Sequence, residues 1–277
     1  MKTKENLSKI IKKEFSIDNF SFEEVSDKGD AAVFIVKIKN KKYIVRIIDE
    51  IEESFSLENN IFALKKLKSI RIAPKIISIG KIGGVKYSIE SFLKGEKKEE
   101  IEDLSYVLKT VKKLHSIKSK SCGYILQRSE NWEKFIKKKF IFKYEGKIKE
   151  MFSKGKEVFE YLLNNVPDCM SFSLLHGDFS KYNLLFFKKN CFMFDFEDCY
   201  YGEKELDFGF FYYFSEEINE KDWEKIAIAG YDKDRILYYA LCVAVAKACS
   251  AKPDSIEKRI KRLKEVWNLQ KGGYLKE

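Results

Sequence analysis

The sequence predicts an α+β protein in two lobes. An N-terminal antiparallel sheet lobe with one main helix is expected over residues 1–93, and a mainly helical lobe over 94–277. Three observations carry the prediction. Runs of β-branched residues separated by short polar turns crowd the first part of the chain. Apolar residues at helical spacing dominate the rest. Between them, around Lys94-Gly95-Glu96-Lys97-Lys98, the composition turns polar and offers the best connection between lobes.

Taken in order, residues 4–14 show helical spacing, with Leu7, Ile10, Ile11 and Phe15 on one face. Val33–Lys39 and Tyr43–Ile48 read as strands joined by a turn at Asn40-Lys41. Residues 54–69 carry a helical stripe of Leu57, Ile61, Leu64 and Leu67. Ile76–Ile79 and Lys86–Phe92 are further strands around Gly83-Gly84. Beyond the connection, residues 102–114 are amphipathic, and helices are expected over 131–148, 154–163, 222–229, 234–249 and 255–269. The run Ile236–Ala246 is apolar on nearly all sides, which predicts a buried central helix.

The length of 277 residues and a 45% hydrophobic fraction are those of a globular chain. The formal net charge of +10 fits attraction to anionic ligands. The basic residues are interleaved with Glu and Asp and no nucleic-acid-binding motif is visible, so no nucleic-acid partner is expected. The cysteines (122, 169, 191, 199, 242 and 249) form no C-x-x-C pair and are expected to be buried thiols. Two histidines, His115 and His176, leave little for a Cys/His zinc site or a two-metal hydrolase. The first twenty residues lack the apolar core of a signal peptide. No run is long enough to span a membrane, so a cytoplasmic location is expected.

The most informative stretch is His176-Gly177-Asp178-Phe179-Ser180-Lys181-Tyr182-Asn183. Leu184–Phe187 and Cys191–Phe194 follow as two apolar runs around the polar turn Lys188-Lys189-Asn190, the pattern of a small hairpin. A hairpin returns the chain to its starting end, which would bring Asn183 and Asp195 to one place beside Asp178. Phosphoryl transfer needs a carboxylate to orient the attacking hydroxyl and oxygen ligands for Mg²⁺. Asp178 suits the first role, and Asn183 and Asp195 the second. A lone Asp before a strand can also simply cap backbone N–H groups; its two companions weigh against that reading.

These residues resemble the aminoglycoside phosphotransferase and choline kinase group, relatives of the eukaryotic-type protein kinases. The motif of that group is His-Gly-Asp, four residues, Asn, a hairpin and an Asp, here HGDFSKYN and FDFED. The resemblance implies a protein kinase-like fold, and ATP or GTP as phosphoryl donor with Mg²⁺. It further implies that Asp207, with Gly202 in YGEKELDFGFF, braces the catalytic loop, and that His176 packs that loop and holds no metal. Upstream, Arg46 shares a strand face with Ile44 and Ile48, a charge on an otherwise apolar face. It is either a surface-edge Arg or, as in that group, the cation that reaches the nucleotide phosphates. Glu58 on the next helix is the implied partner of Arg46. Gly29, in Ser26–Asp30, lies where a phosphate-covering loop would be, though the segment also reads as an ordinary turn. Glu90 and Phe92 fall in the segment that would meet the adenine edge. His115 is expected to pack, and Lys181 is either a solvated loop residue or a phosphate contact.

The expected activity is therefore Mg-dependent transfer of a γ-phosphate to a hydroxyl of a small molecule, such as an aminoglycoside, choline, ethanolamine or a sugar. The alternative is a kinase-like nucleotide-binding or scaffold protein without catalysis. Glu203, Glu205, Glu216, Glu217 and Glu220 would suit a polycationic acceptor. Tyr200, Tyr201, Tyr212, Tyr213, Tyr238 and Tyr239 would suit a choline cage. The basic segment Lys258–Lys264 points the other way. The sequence leaves the acceptor and the oligomeric state open.

Overall fold

A computed structural model describes residues 2–26, 31–49, 55–129, 131–215 and 218–272. Contacts group the chain into two compact units, Met1–Lys97 with Leu184–Cys199, and Lys98–Asn183 with Tyr200–Glu277.

The first unit begins with α1 (Lys2–Phe15), β1 (Ser21–Ser26), β2 (Ala32–Ile38) and β3 (Lys41–Asp49). It continues with α2 (Ser56–Leu67), β4 (Ile76–Ile82) and β5 (Val85–Ser91). The strands form an antiparallel sheet in the order β1-β2-β3-β5-β4. Strand alternation divides its two faces. Val45 and Ile47 pack with Leu7, Ile10 and Ile11 of α1. Ile48 packs with Leu57 and Ile61 of α2. Arg46 belongs to this second face by the period of two. The helices and hairpins expected here are present, while β1 was not anticipated. Its Phe22 and Val25 are exposed, so it lacks the apolar alternation that marks a half-buried strand.

The second unit starts with α3 (Leu104–His115), whose first turn is capped by Asp103 accepting from the Ser105 N–H at 2.9 Å. Next come β6 (Lys118–Ser119), β7 (Cys122–Tyr124), β8 (Gln127–Ser129) and α4 (Trp132–Ile136). The single helix expected over 131–148 is broken. After α4 the chain makes a π-turn over Lys137–Ile141 and a tight turn over Phe142–Tyr144 before α5 (Glu145–Met151). The wider turn lets the consecutive residues Phe140 and Ile141 both be buried. Then come α6 (Gly155–Asn164) and β9 (Phe172–Leu175).

The hairpin follows as β10 (Leu184–Phe187) and β11 (Asn190–Met193), with Leu184 paired to Met193 and Phe187 to Asn190. It belongs to the first unit. Glu96 and Phe186 exchange backbone hydrogen bonds of 3.0 and 2.9 Å, and the Met193 N–H donates to Ile72 O at 2.8 Å. The second unit resumes with β12 (Tyr200–Gly202), α7 (Glu205–Phe214), α8 (Glu220–Ile228), α9 (Lys233–Cys249) and α10 (Ile256–Gln270). A second sheet, β6-β9-β12-β7-β8, was not expected. Its central strands are short and buried on both faces, so they show no alternation to read. As expected, α9 is buried from Ile236 to Val245. Among the described residues, no helix is long and apolar enough to cross a membrane.

Candidate active site

In the first unit the site is built around Arg46. Its side chain is 8% exposed, so its charge must be answered inside the protein. Nε lies 3.3 Å from Glu90 Oε1, and Nη2 lies 2.8 Å from Asp195 Oδ1. Burial opposes the guanidinium charge, but Glu90, Asp195 and Glu197 outweigh it and hold its pKa above the ordinary value. Glu90 is wholly enclosed. Burial pushes its carboxyl up, against the opposing pull of Arg46. Asn60 Nδ2 and Ser88 Oγ also donate to Glu90 Oε1, at 2.7 and 3.0 Å. Asn60 Oδ1 in turn accepts from the Phe196 N–H at 3.2 Å, which fixes the backbone next to Asp195. Asp195 itself has φ of 70°, a left-handed backbone that a non-glycine residue rarely adopts.

In the second unit the loop after β9 carries Asp178. Gly177 has φ of 85°, which turns two successive N–H groups toward one acceptor. Those N–H groups, of His176 and Gly177, donate to Asp207 at 2.8 and 3.0 Å. Asp207 is fully buried and accepts a third bond, 2.9 Å from His115 Nε2. The carboxylate only accepts, so Nε2 carries a proton. His115 Nδ1 meets Tyr231 Oη at 2.9 Å, and burial pushes the Tyr231 phenol up. The His176 ring is buried and tilts against Phe179, with centroids 6.4 Å apart. Asn183 Nδ2 donates to Asp178 O at 2.9 Å and to Oδ2 at 3.2 Å. The other carboxylate oxygen of Asp178 lies 3.6 Å from Lys247 Nζ.

The model of the phosphotransferase enzyme family matches residues 21–239. The chain belongs to that family. Solved structures that it resembles over nearly their whole length include a thermostable mutant of aminoglycoside phosphotransferase APH(4)-Ia in its apo form. That likeness has TM-score 0.72 at 13% identity, covering 96% of this chain and 99% of that one. The same enzyme in a ternary complex with AMP-PNP and hygromycin B gives TM-score 0.68 at 13% identity, over 94% and 97% of the chains. A candidate fructosamine-3-kinase from Haemophilus somnus 129PT gives TM-score 0.67 at 15% identity, over 94% and 96%. A comparison with curated proteins found no match. The fold is protein kinase-like, as the resemblance of HGDFSKYN implied.

Within this phosphotransferase family member, one expected pairing is corrected. Glu58 does not serve Arg46; it binds Lys86 at 2.7 Å, and Glu90 and Asp195 take the guanidinium instead. Strand register explains the exchange. Arg46 pairs with Ser88 across β3 and β5, so Glu90 is two residues along on the same face. Glu90 therefore enters the site through its side chain. Phe92 follows β5, half-buried, with Lys42 Nζ 5.2 Å from its ring centre. Gly29 lies outside the described residues. Lys181 Nζ donates to Glu99 O at 2.7 Å. Gly202 has no room for a side chain, since a Cβ there would lie 2.7 Å from Trp132 Cη2. His115, expected only to pack, is a hydrogen-bonded member of the Asp207 brace. Sequence reasoning gave no role to Asn60 or Lys247, although Lys247 was visible as a charge ending an apolar helix.

Proposed function

We propose that this chain transfers the γ-phosphate of ATP or GTP to a hydroxyl of a small molecule. The observation that carries the proposal is the pair of bonds from Asn183 Nδ2 to Asp178, at 2.9 and 3.2 Å. They orient a carboxylate and an amide oxygen in one short loop. Asp178 would accept the hydroxyl proton as the oxygen attacks, a contribution of about 10²–10⁴-fold for a positioned base. Membership of the phosphotransferase family supports the reaction type. The AMP-PNP complex of the APH(4)-Ia mutant supports a nucleoside triphosphate donor. We assign nucleotide binding to the lobe over 1–93, with Arg46, Glu90, Phe92 and the Gly29 loop. Catalysis and acceptor binding fall to 94–277. Glu58 keeps at most an indirect part, through Lys86.

Asn183 and Asp195 are the proposed magnesium ligands. The fit rests on donor chemistry. Asn183 turns its amide nitrogen to Asp178, which leaves the amide oxygen for the ion. Asp195 offers its second carboxylate oxygen beside the one on Arg46. Hard oxygen donors in small number suit an ion that keeps water and phosphate in its shell. Held by Asn183 and Asp195, such an ion would supply positive charge that offsets the charge of the nucleotide phosphates. Arg46, anchored by Glu90, keeps a fixed cation for phosphate oxygens.

Asp178→Asn tests the reading. Nucleotide turnover would be followed with purified protein, ATP and GTP, against aminoglycosides, choline, ethanolamine, amino acids and sugars. The wild type should turn over nucleotide with at least one acceptor. The variant should bind nucleotide with unchanged affinity and lose about 10³-fold in kcat. Full turnover by the variant would sink the assignment of Asp178. Nucleotide binding without transfer to any acceptor would favour the scaffold alternative.

A further inference from the structure

Resting on the phosphotransfer reading, we propose that the acceptor carries an oxyanion near its hydroxyl, and that Lys247 recognises it. Lys247 stands near the end of α9, just beyond the buried run Ile236–Val245. Its ammonium lies 3.6 Å from Asp178 Oδ1, and the other oxygen, Oδ2, already accepts from Asn183. The ammonium stands beside two aromatic rings. Nζ sits 5.1 Å from the Phe214 ring centre and 6.0 Å from that of Phe210. The side chain is 37% exposed, so the fixed ammonium faces solvent beside the carboxylate.

A second cation borders the same ring. The Arg259 guanidinium lies 5.8 Å from the Phe214 centre and donates to Tyr213 Oη at 3.1 Å. Tyr182, from the Asp178 loop, meets Phe214 edge-on at 6.2 Å and is 55% exposed. Lys247 thus stands at Asp178, and the Phe214 ring beside Lys247 is bordered by Arg259 and Tyr182. Helix α10, which bears Arg259, carries Lys258, Lys261, Arg262 and Lys264 against Glu257 and Glu265. Arg262 is spent on structure, since it donates to the carbonyls of Tyr212, Tyr213 and Ser215 at the end of α7.

Of the acidic residues that would suit a polycation, Glu203 and Glu205 are turned inward, Glu220 is exposed, and Glu216 and Glu217 lie outside the described residues. Glu203 and Glu205 are buried, and Glu203 is bound by Arg235 and Tyr239. Glu205 lies 3.6 Å from Lys204 Nζ. The tyrosines that would form a choline cage, Tyr200, Tyr201, Tyr212, Tyr213, Tyr238 and Tyr239, are likewise buried. With Lys247 already offsetting Asp178, an amine-bearing acceptor would meet a like charge at that carboxylate. An oxyanion would replace Asp178 as the partner of Lys247 and leave the catalytic carboxylate free to take a proton. Like charges brought together in this way penalise the wrong partner more than they favour the right one.

The same unit holds a pocket of about 470 Å³ lined by Glu99, Glu100, Asp222 and Lys181 among others. Asp178, Lys247 and Phe214 are absent from its lining. It is the site an amine-bearing acceptor would use, and that is an outcome of the test.

Acceptors matched in size and differing in charge decide the matter. The panel is glycerate, glycerol 3-phosphate, glycerol and 3-amino-1,2-propanediol, with gluconate, glucose and glucosamine as a larger set. Acid members should exceed their neutral counterparts by about tenfold or more in kcat/KM, and amines should rank last. The two three-carbon acids separate a carboxylate preference from a phosphate one. Lys247→Met should remove the acid preference, chiefly through KM, and Lys247→Arg should restore it. An amine-led ranking, or an acid preference unmoved in Lys247→Met, overturns the inference. If nothing in the panel is phosphorylated, calorimetry with AMP-PNP present decides. Saturable binding of an acid that is lost in Lys247→Met supports oxyanion recognition by Lys247 and counts against the phosphotransfer reading alone. No saturable binding of any acid overturns it.

Discussion

Each unit buries a carboxylate next to the residues proposed to act, and the two are satisfied by different kinds of partner. Glu90, in the first unit, is held by the Arg46 guanidinium with Asn60 and Ser88. Asp207, in the second, is held by two backbone N–H groups and an imidazole. The carboxylate of Glu90 fixes a cation, whose other arm reaches Asp195. The carboxylate of Asp207 fixes the shape of the chain between His176 and Asp178. The first arrangement is a side-chain network that can be replaced as a whole. The second cannot be, because two of its three donors belong to the backbone. That difference predicts how each unit fails.

The largest effect is expected at Asp207. Asp207→Ala would leave three buried donors without an acceptor, at about 1–3 kcal/mol each. A total of about 5 kcal/mol would be a large part of the stability of the unit. All three tryptophans (Trp132, Trp223 and Trp267) lie in the second unit, so their fluorescence reports its unfolding by denaturant. Asp207→Asn keeps one acceptor oxygen and should lose less, while still displacing the Asp178 loop and lowering kcat. Unfolding of Asp207→Ala at the wild-type denaturant concentration would show that the brace is dispensable.

Arg46 should behave differently. Arg46→Met leaves Glu90 buried without its cation, a loss of about 3–5 kcal/mol. Replacing both, as Arg46→Met with Glu90→Leu, should recover most of that loss, because a buried ion pair is often no better than an apolar pair. Nucleotide affinity should stay low in both variants. Calorimetric unfolding measures the first effect, since the first unit has no tryptophan, and nucleotide titration measures the second. A double variant as unstable as the single one would mean that Asp195 and Asn60 depend on the Arg46–Glu90 pair for more than charge.

The same contrast explains what the sequence could disclose. Asp178 and Asn183 interact within one loop, so their spacing carried the signal. The hairpin was legible because its two strands and turn are adjacent in the chain. The Arg46–Glu90 pair depends on the β3–β5 register, and that register sets which acid stands diagonal to Arg46. The family resemblance implied Glu58, on the next helix, instead. The strands β6, β7, β9 and β12 are two to four residues long and are paired across large separations in sequence. Neither period nor turn chemistry marks such pieces. Lys247 was visible as a charge at the end of an apolar run, but its meaning needed Asp178 within reach.

Glu203 joins the two kinds of partner and gives the smallest and sharpest test. It is held by an arginine, Arg235, and by a neutral hydroxyl, that of Tyr239, which also accepts from Trp132 Nε1 at 2.9 Å. Burial raises its pKa to about 7, with Tyr239 and Arg235 pulling against that rise. A carboxyl whose folded pKa exceeds its unfolded one binds its proton more tightly when folded. Its contribution is complete below the ordinary carboxyl value of 4.5 and is lost as pH rises to about 7. Wild-type protein should therefore lose up to about 3 kcal/mol from this site between those limits. Glu203→Gln should gain on the wild type over the same interval and run parallel to it above. Trp132, bonded to Tyr239, places a fluorescent reporter beside the group. A stability difference that stays flat from pH 4.5 to 7.5 would mean that Arg235 alone governs Glu203, as Arg46 anchors Glu90 in the first unit.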